Sequence, residues 1–188
     1  MSKKWRKDKI YDTIIVVTRG VDEYRATIPY YVQKDDIVLE IGAAWGTTSQ
    51  LLHERAAKVV AIDKGDSLPT AIETYPHIQF EQIDGFDISA ILKLGYKFNK
   101  VYIDISGSRE LLTVIEIVNK YSAALKPEVI VVKSTRLKRL ARSLVVWEEG
   151  TSVHTPRHKG AGGIEHLEIE YVKTDELSVD DENEQLSD

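Results

Sequence analysis

The chain has 188 residues, 43% of them hydrophobic and 29% charged, which is enough for one core and short for two. It has no cysteine, which excludes disulfides, thiolate metal sites and thiol nucleophiles. No apolar run approaches the length of a membrane span and the N-terminus lacks a signal-peptide core, so the expected location is cytoplasmic.

The N-terminal stretch is basic (Lys3, Lys4, Arg6, Lys7, Lys9) and leads into a strand-like run, Thr13 to Thr18. Residues 1–30 are expected to hold this extension, a strand and a helix. Next comes Asp36 to Leu52. Its apolar run Ile37, Val38, Leu39, Ile41 predicts a buried strand, followed by a turn rich in Gly and Ala and then a helix from Thr47. Gly42 and Gly46 stand where the backbone bends sharply and a ligand comes close. Glu40 is the unusual residue there. A phosphate cradle would not normally carry a carboxylate, whereas a cationic or hydroxyl-rich ligand would be favoured by one. The G-x-G-x-x-G dinucleotide pattern is absent, and no Gly-Lys-Ser/Thr follows Gly46.

A second short strand, Lys58 to Ile62, ends in Asp63, an acid about twenty residues after the glycine turn and so placed to accept from ribose hydroxyls. Ile78 to Asp84 predicts a third strand leading to Gly85, and Lys100 to Ser108 a fourth, closed by Asp104 at the carboxyl edge where open α/β sheets bind ligands. A helix is predicted from about Glu110 to Leu125, with Leu111, Leu112, Ile115 and Val118 on one face and Pro127 as its stop. Val129 to Lys133 is a continuous apolar run of the kind a parallel sheet buries on both faces. Strands alternating with helices imply a doubly wound, mostly parallel sheet. Val145-Val146-Trp147 and Glu165 to Tyr171 alternate instead, which predicts an antiparallel pair at the sheet's end. Residues 1–173 are expected to form a single domain.

The last fifteen residues, 174–188, hold seven acids and no Lys or Arg, and are expected to stay unfolded. Without them the body has 25 basic and 23 acidic residues despite the overall net charge of −5. The cluster Lys133, Arg136, Lys138, Arg139 and Arg142, with Arg157, His158 and Lys159 further on, starts at the carboxyl end of a sheet strand. It is read either as a polyanion-attracting surface or as the solvated face of an ordinary helix. His154, His158 and His166 lack metal spacing, and Ser106-Gly107-Ser108 lacks the elbow of a hydrolase nucleophile. The loop from Thr155 to Gly163 is either a hairpin connection or a flap over a substrate.

The pattern acidic-x-Gly-x-Ala-x-Gly after a strand resembles the first motif of class I S-adenosylmethionine (SAM)-dependent methyltransferases, and the resemblance covers about Ile37 to Val172. It implies a Rossmann-like fold and SAM as cofactor. The loop Glu40, Gly42, Ala43, Ala44, Trp45, Gly46, Thr47 would hold the methionine end, Asp63 with Lys64 the ribose, and Asp84 with Gly85 the adenine, next to Asp104. Val-Val-Lys at the end of the fifth strand, with Gly-Ala-Ala-x-Gly and Asp104, further resembles the FtsJ-like RNA ribose 2′-O-methyltransferases. Their Lys-Asp-Lys-Glu tetrad would be matched by Asp104, Lys133 and Glu165. The first lysine has no counterpart; upstream stands Arg25, which stays protonated and binds phosphate rather than acting as a base. The family's Pro after Gly-Ala-Ala is Trp45 here.

The resemblance thus implies methyl transfer to RNA, with Arg136, Lys138, Arg139, Arg142, Arg157 and Lys159 toward the nucleic acid. A small-molecule O- or N-methyltransferase and a non-catalytic SAM-binding module are the alternatives. Salt-dependent RNA affinity separates the first from the second.

Overall fold

The computed structural model describes residues 13–106, 109–145, 151–152 and 172–173. The chain divides into two units at the Ser143–Leu144 junction. In the first, the elements follow in the order β1 (Ile14–Thr18), α1 (Val21–Ala26), α2 (Ile28–Tyr31), β2 (Ile37–Ile41), α3 (Thr47–His53), β3 (Lys58–Ile62), α4 (Leu68–Thr74), β4 (Gln79–Glu81), α5 (Ile88–Lys93), β5 (Lys100–Ile103), α6 (Leu111–Leu125), β6 (Val129–Lys133) and α7 (Thr135–Ser143). The strands form one six-stranded sheet in the order β1-β6-β5-β2-β3-β4, parallel at every pairing. This is the Rossmann-like α/β sheet expected from the alternating pattern.

The expected antiparallel end strand is not part of this sheet among the described residues. The edge beside β6 is taken by β1, which runs parallel to it from Ile14↔Val129 to Thr18↔Lys133. β1 offers Ile-Ile-Val-Val, a β-branched run suited to an extended, half-buried edge. In the second unit, β7 (Thr151–Ser152) and β8 (Val172–Lys173) make a short antiparallel ladder. Val146, Trp147 and the predicted strand Glu165 to Tyr171 lie outside the described residues.

Strand alternation divides the core into two layers. Leu39, Ile41, Val60, Ile62, Val101, Ile103, Ile130 and Val132 pack toward α5 and α6. Val38, Val59, Ala61, Tyr102, Val129 and Val131 pack with Tyr24, Ile28 and Leu52 of α1 to α3 and with Val32 just after α2. The buried stripe of α6 is Val114, Ile117, Val118 and Tyr121, at helical spacing. The predicted face was rotated from this one: Leu112 is 80% exposed and Ile115 41%. The helix leans its Ile115–Val118–Ser122 edge toward Ile15 and Val17 of β1, leaving an apolar groove between them.

The amino ends of the central strands are clamped by polar groups. Asp36 accepts from Asn99 Nδ2 at 2.6 Å and from the Gln33 amide at 2.7 Å, and lies 3.5 Å from Lys100 Nζ. Lys100 also pairs with Glu128, and Asn99 accepts the Ile37 amide at 2.8 Å. This network, buried at Asp36 and Lys100 and open at Glu128, ties β2, β5 and β6 together at the end opposite the loops discussed next.

Candidate active site at the carboxyl edge of the sheet

From β2 the chain runs outward to β3 and β4 on one side, while β5 and β6 lie on the other, so the topological switch falls between β2 and β5. There the two loops touch. Gly42 has φ of 88°, and a Cβ on it would stand 1.9 Å from the Asp104 carbonyl oxygen, so glycine is required. The turn continues through Ala44 at φ 45° to Gly46 at φ 77°, which opens α3. Asp63 holds this strained turn: its carboxylate accepts the Ala44 amide and the Gly65 amide, each at 2.7 Å.

A cleft of about 220 Å³ lies over this edge, lined by Ile41, Gly42, Ile62, Asp63, Lys64, Ile83, Asp84, Gly85, Phe86, Asp104, Ile105, Ser106 and Arg109. Its floor is apolar and its rim carries three carboxylates. Asp84 is held below the usual carboxylate range by Lys64, whose Nζ lies 2.8 Å away, and by the Phe86 amide at 3.0 Å. Gly85 is packed so closely that a Cβ would meet Ile41 Cγ2 at 2.5 Å.

Of the residues singled out in the sequence, Gly42, Asp63, Lys64, Asp84, Gly85 and Asp104 line the cleft, whereas Glu40, Ala43, Ala44, Trp45, Gly46 and Thr47 do not. Glu40 sits one residue before Ile41, and alternation turns it to the opposite sheet face, against α3. There it is 1% exposed and accepts Ser49 Oγ at 2.5 Å. Burial pushes its carboxyl up to about 8, and it stands behind the loop, outside the cleft lining. Trp45 points outward, 62% exposed. Ile83, Phe86, Ile105 and Arg109 also line the cleft and were not singled out: Ile83 and Ile105 belong to predicted strands that end earlier, at Glu81 and Ile103, and Phe86 and Arg109 lie on loops with no periodic signal.

At the cleft's other margin, the neighbouring strands β5 and β6 bring together two residues 29 positions apart. Lys133 Nζ lies 2.5 Å from Asp104 Oδ2, with the two side chains 17% and 18% exposed. Beneath them Tyr24 packs edge-to-face on Tyr102 with ring centroids 5.3 Å apart. The Tyr24 hydroxyl is buried without a hydrogen-bond partner among the described residues. Burial, with Glu40 and Asp104 nearby, pushes that phenol well above its ordinary range. Arg25 donates from Nε to Thr48 Oγ1 at 3.0 Å, which ties α1 to α3. Glu165, Arg157, Lys159 and the three histidines of the same stretch lie outside the described residues.

A Rossmann-like sheet with an acid-rimmed crevice at its switch point defines a nucleotide-type ligand site. The FtsJ-like methyltransferase model matches residues 21–146, and this chain belongs to that family. No curated protein sequence matches it. Among solved structures, an rRNA methylase from Streptococcus thermophilus is similar at 12% identity, covering 76% of this chain and 91% of that one (TM-score 0.48). A precorrin 8w decarboxylase from Methanobacterium thermoautotrophicum shares 22% identity over 70% of this chain and 75% of that one (TM-score 0.47). A dimethyladenosine transferase from Plasmodium falciparum shares 18% over 54% of this chain (TM-score 0.41), and the match takes in only 38% of its length.

The family implies SAM as methyl donor, and the residues present fit it. Asp63 and Asp84 are acceptors for hydroxyl and amino groups, Ile41, Ile62, Ile83 and Phe86 offer apolar surface to a purine, and carboxylates rather than cations dominate the rim.

Proposed function

We propose that this chain transfers a methyl group from SAM to RNA, at a ribose 2′-hydroxyl. The Lys133–Asp104 pair beside the cleft carries this reading. SAM supplies an electrophilic methyl on a positively charged sulfur. The protein's part is to align a hydroxyl with it and relieve that hydroxyl of its proton. Lys133, with three donors, orients the incoming oxygen; Asp104, acceptor on both oxygens, takes the hydroxyl hydrogen and directs a lone pair at the methyl. Asp63 would hold the ribose of SAM and Asp84 its adenine. Family membership and the basic face of α7 favour RNA over a small-molecule acceptor. Three of the tetrad's four places have a candidate here: Asp104, Lys133 and, by sequence alone, Glu165.

The test is to incubate the full chain with methyl-labelled SAM and bulk RNA, then hydrolyse the RNA in alkali. A 2′-O-methyl blocks cleavage at its own linkage, so label in alkali-resistant dinucleotides is expected. Label released with single nucleotides would place the methyl on a base. RNA left unlabelled, with label on small molecules instead, would refute the RNA reading.

A further inference from the structure

We propose that the pocket between α7 and the turn after β1 seats a backbone phosphate of the substrate strand, gripped by Arg19, Arg139 and Arg142; this rests on the RNA reading above. The pocket encloses about 230 Å³ and is lined by Arg19, Glu23, Thr135, Lys138, Arg139 and Arg142. The four α7 residues are spaced 135, 138, 139, 142, so they share one helix face. Stacking three cations on one face sets like charges three and four residues apart, which weakens a helix unless an anion is supplied. The one acid present is already engaged: Glu23 accepts Lys138 Nζ at 2.6 Å and the Arg19 amide at 2.7 Å. Arg136, on another face of α7, pairs with Glu110 and takes no part. Among the described residues, no carboxylate forms an ion pair with Arg139 or Arg142.

The pocket's position matters as much as its charge. Thr18 is the strand partner of Lys133, and Arg19 follows it directly. The Ser134 amide donates to the Thr18 carbonyl at 2.9 Å, and Thr135 Oγ1 donates to the Arg19 carbonyl at 3.1 Å. The cation pocket therefore opens on the order of 10 Å from the Lys133–Asp104 pair. Arginine suits this task, since its planar fork matches phosphate oxygens two at a time.

The experiment compares the full chain with Arg139→Gln/Arg142→Gln and with Lys93→Gln/Lys97→Gln, an equal charge change at exposed positions on and after α5. Affinity for a short single-stranded RNA of mixed sequence is measured by anisotropy over a range of salt, and SAM affinity by calorimetry. The arginine variant is expected to bind RNA at least tenfold more weakly. Its plot of log affinity against log salt should flatten by about 0.7, the loss of one phosphate contact on a single strand. SAM affinity should be unchanged. Equal losses in both variants, or none in the arginine variant while the unaltered chain binds RNA, overturn the pocket alone. An unaltered chain with no RNA affinity at any salt overturns the RNA reading as well.

Discussion

Lys133 Nζ lies 2.5 Å from Asp104 Oδ2 because β5 and β6 are adjacent in the sheet and both end at its carboxyl edge. Of the two, Asp104 lines the cleft and Lys133 does not, so the proposed function assigns them separable effects. Lys133→Ala is expected to leave SAM affinity within about twofold while lowering kcat about a hundredfold, the weight of losing alignment of the attacking oxygen. Asp104→Asn should impair both. Calorimetry and single-turnover transfer check this; an Ala variant with unchanged turnover removes Lys133 from the chemistry.

Gly42 is held between two loops with no room for a side chain. Gly42→Val should lose SAM binding and unfold at a lower temperature, from the clash and the positive φ together. Asp63→Ala frees the Ala44 and Gly65 amides and should also lose SAM, with a smaller fall in Tm. If both variants bound SAM like the parent chain, the cleft would not be the cofactor site.

Glu40 makes stability depend on pH. Its carboxyl is raised from 4.5 to about 8 by burial, so between those values the folded chain keeps a proton that the unfolded chain has lost. The stability contributed by the protonated group is fully present below about 4.5 and declines as pH rises toward 8. Glu40→Gln keeps a neutral amide beside Ser49 and removes the titration. Relative to the parent it should gain on the order of 3 kcal/mol near neutral pH and nothing in acid. Urea unfolding at several pH values tests it: curves that stay parallel would mean Glu40 is ionised in the fold.

Lys100 is buried at the opposite end of the sheet beside Asp36. Lys100→Met leaves that carboxylate short of a counter-charge and should cost about 3 kcal/mol of unfolding free energy. SAM affinity should not change, because the network is remote from the cleft. A change in affinity without loss of stability would contradict the division of the sheet into a structural end and a functional end.

The strands were readable because their apolar runs are short and end in a polar residue or glycine: β2, β3 and β6 begin and end where the pattern predicted. Asp63, Asp84 and Asp104 were readable for the same reason, each standing at or just past a strand's carboxyl end. Glu40 was not readable as a core residue, since the residue type announces charge while strand alternation turns it inward, behind the cleft rather than in it. Arg109 and Phe86 had no signal at all, because loop residues reach the cleft only through the folded path of the chain.

By itself the sequence determined the alternation of strand and helix, the glycine turn and the acids at strand ends, since these are local consequences of side-chain shape and backbone freedom. The tertiary structure alone decided that β1 closes the edge beside β6, that Lys133 meets Asp104, and that Arg19 joins the cations of α7. Those partners are 29 residues or more apart, and only strand order brings them within reach of one another.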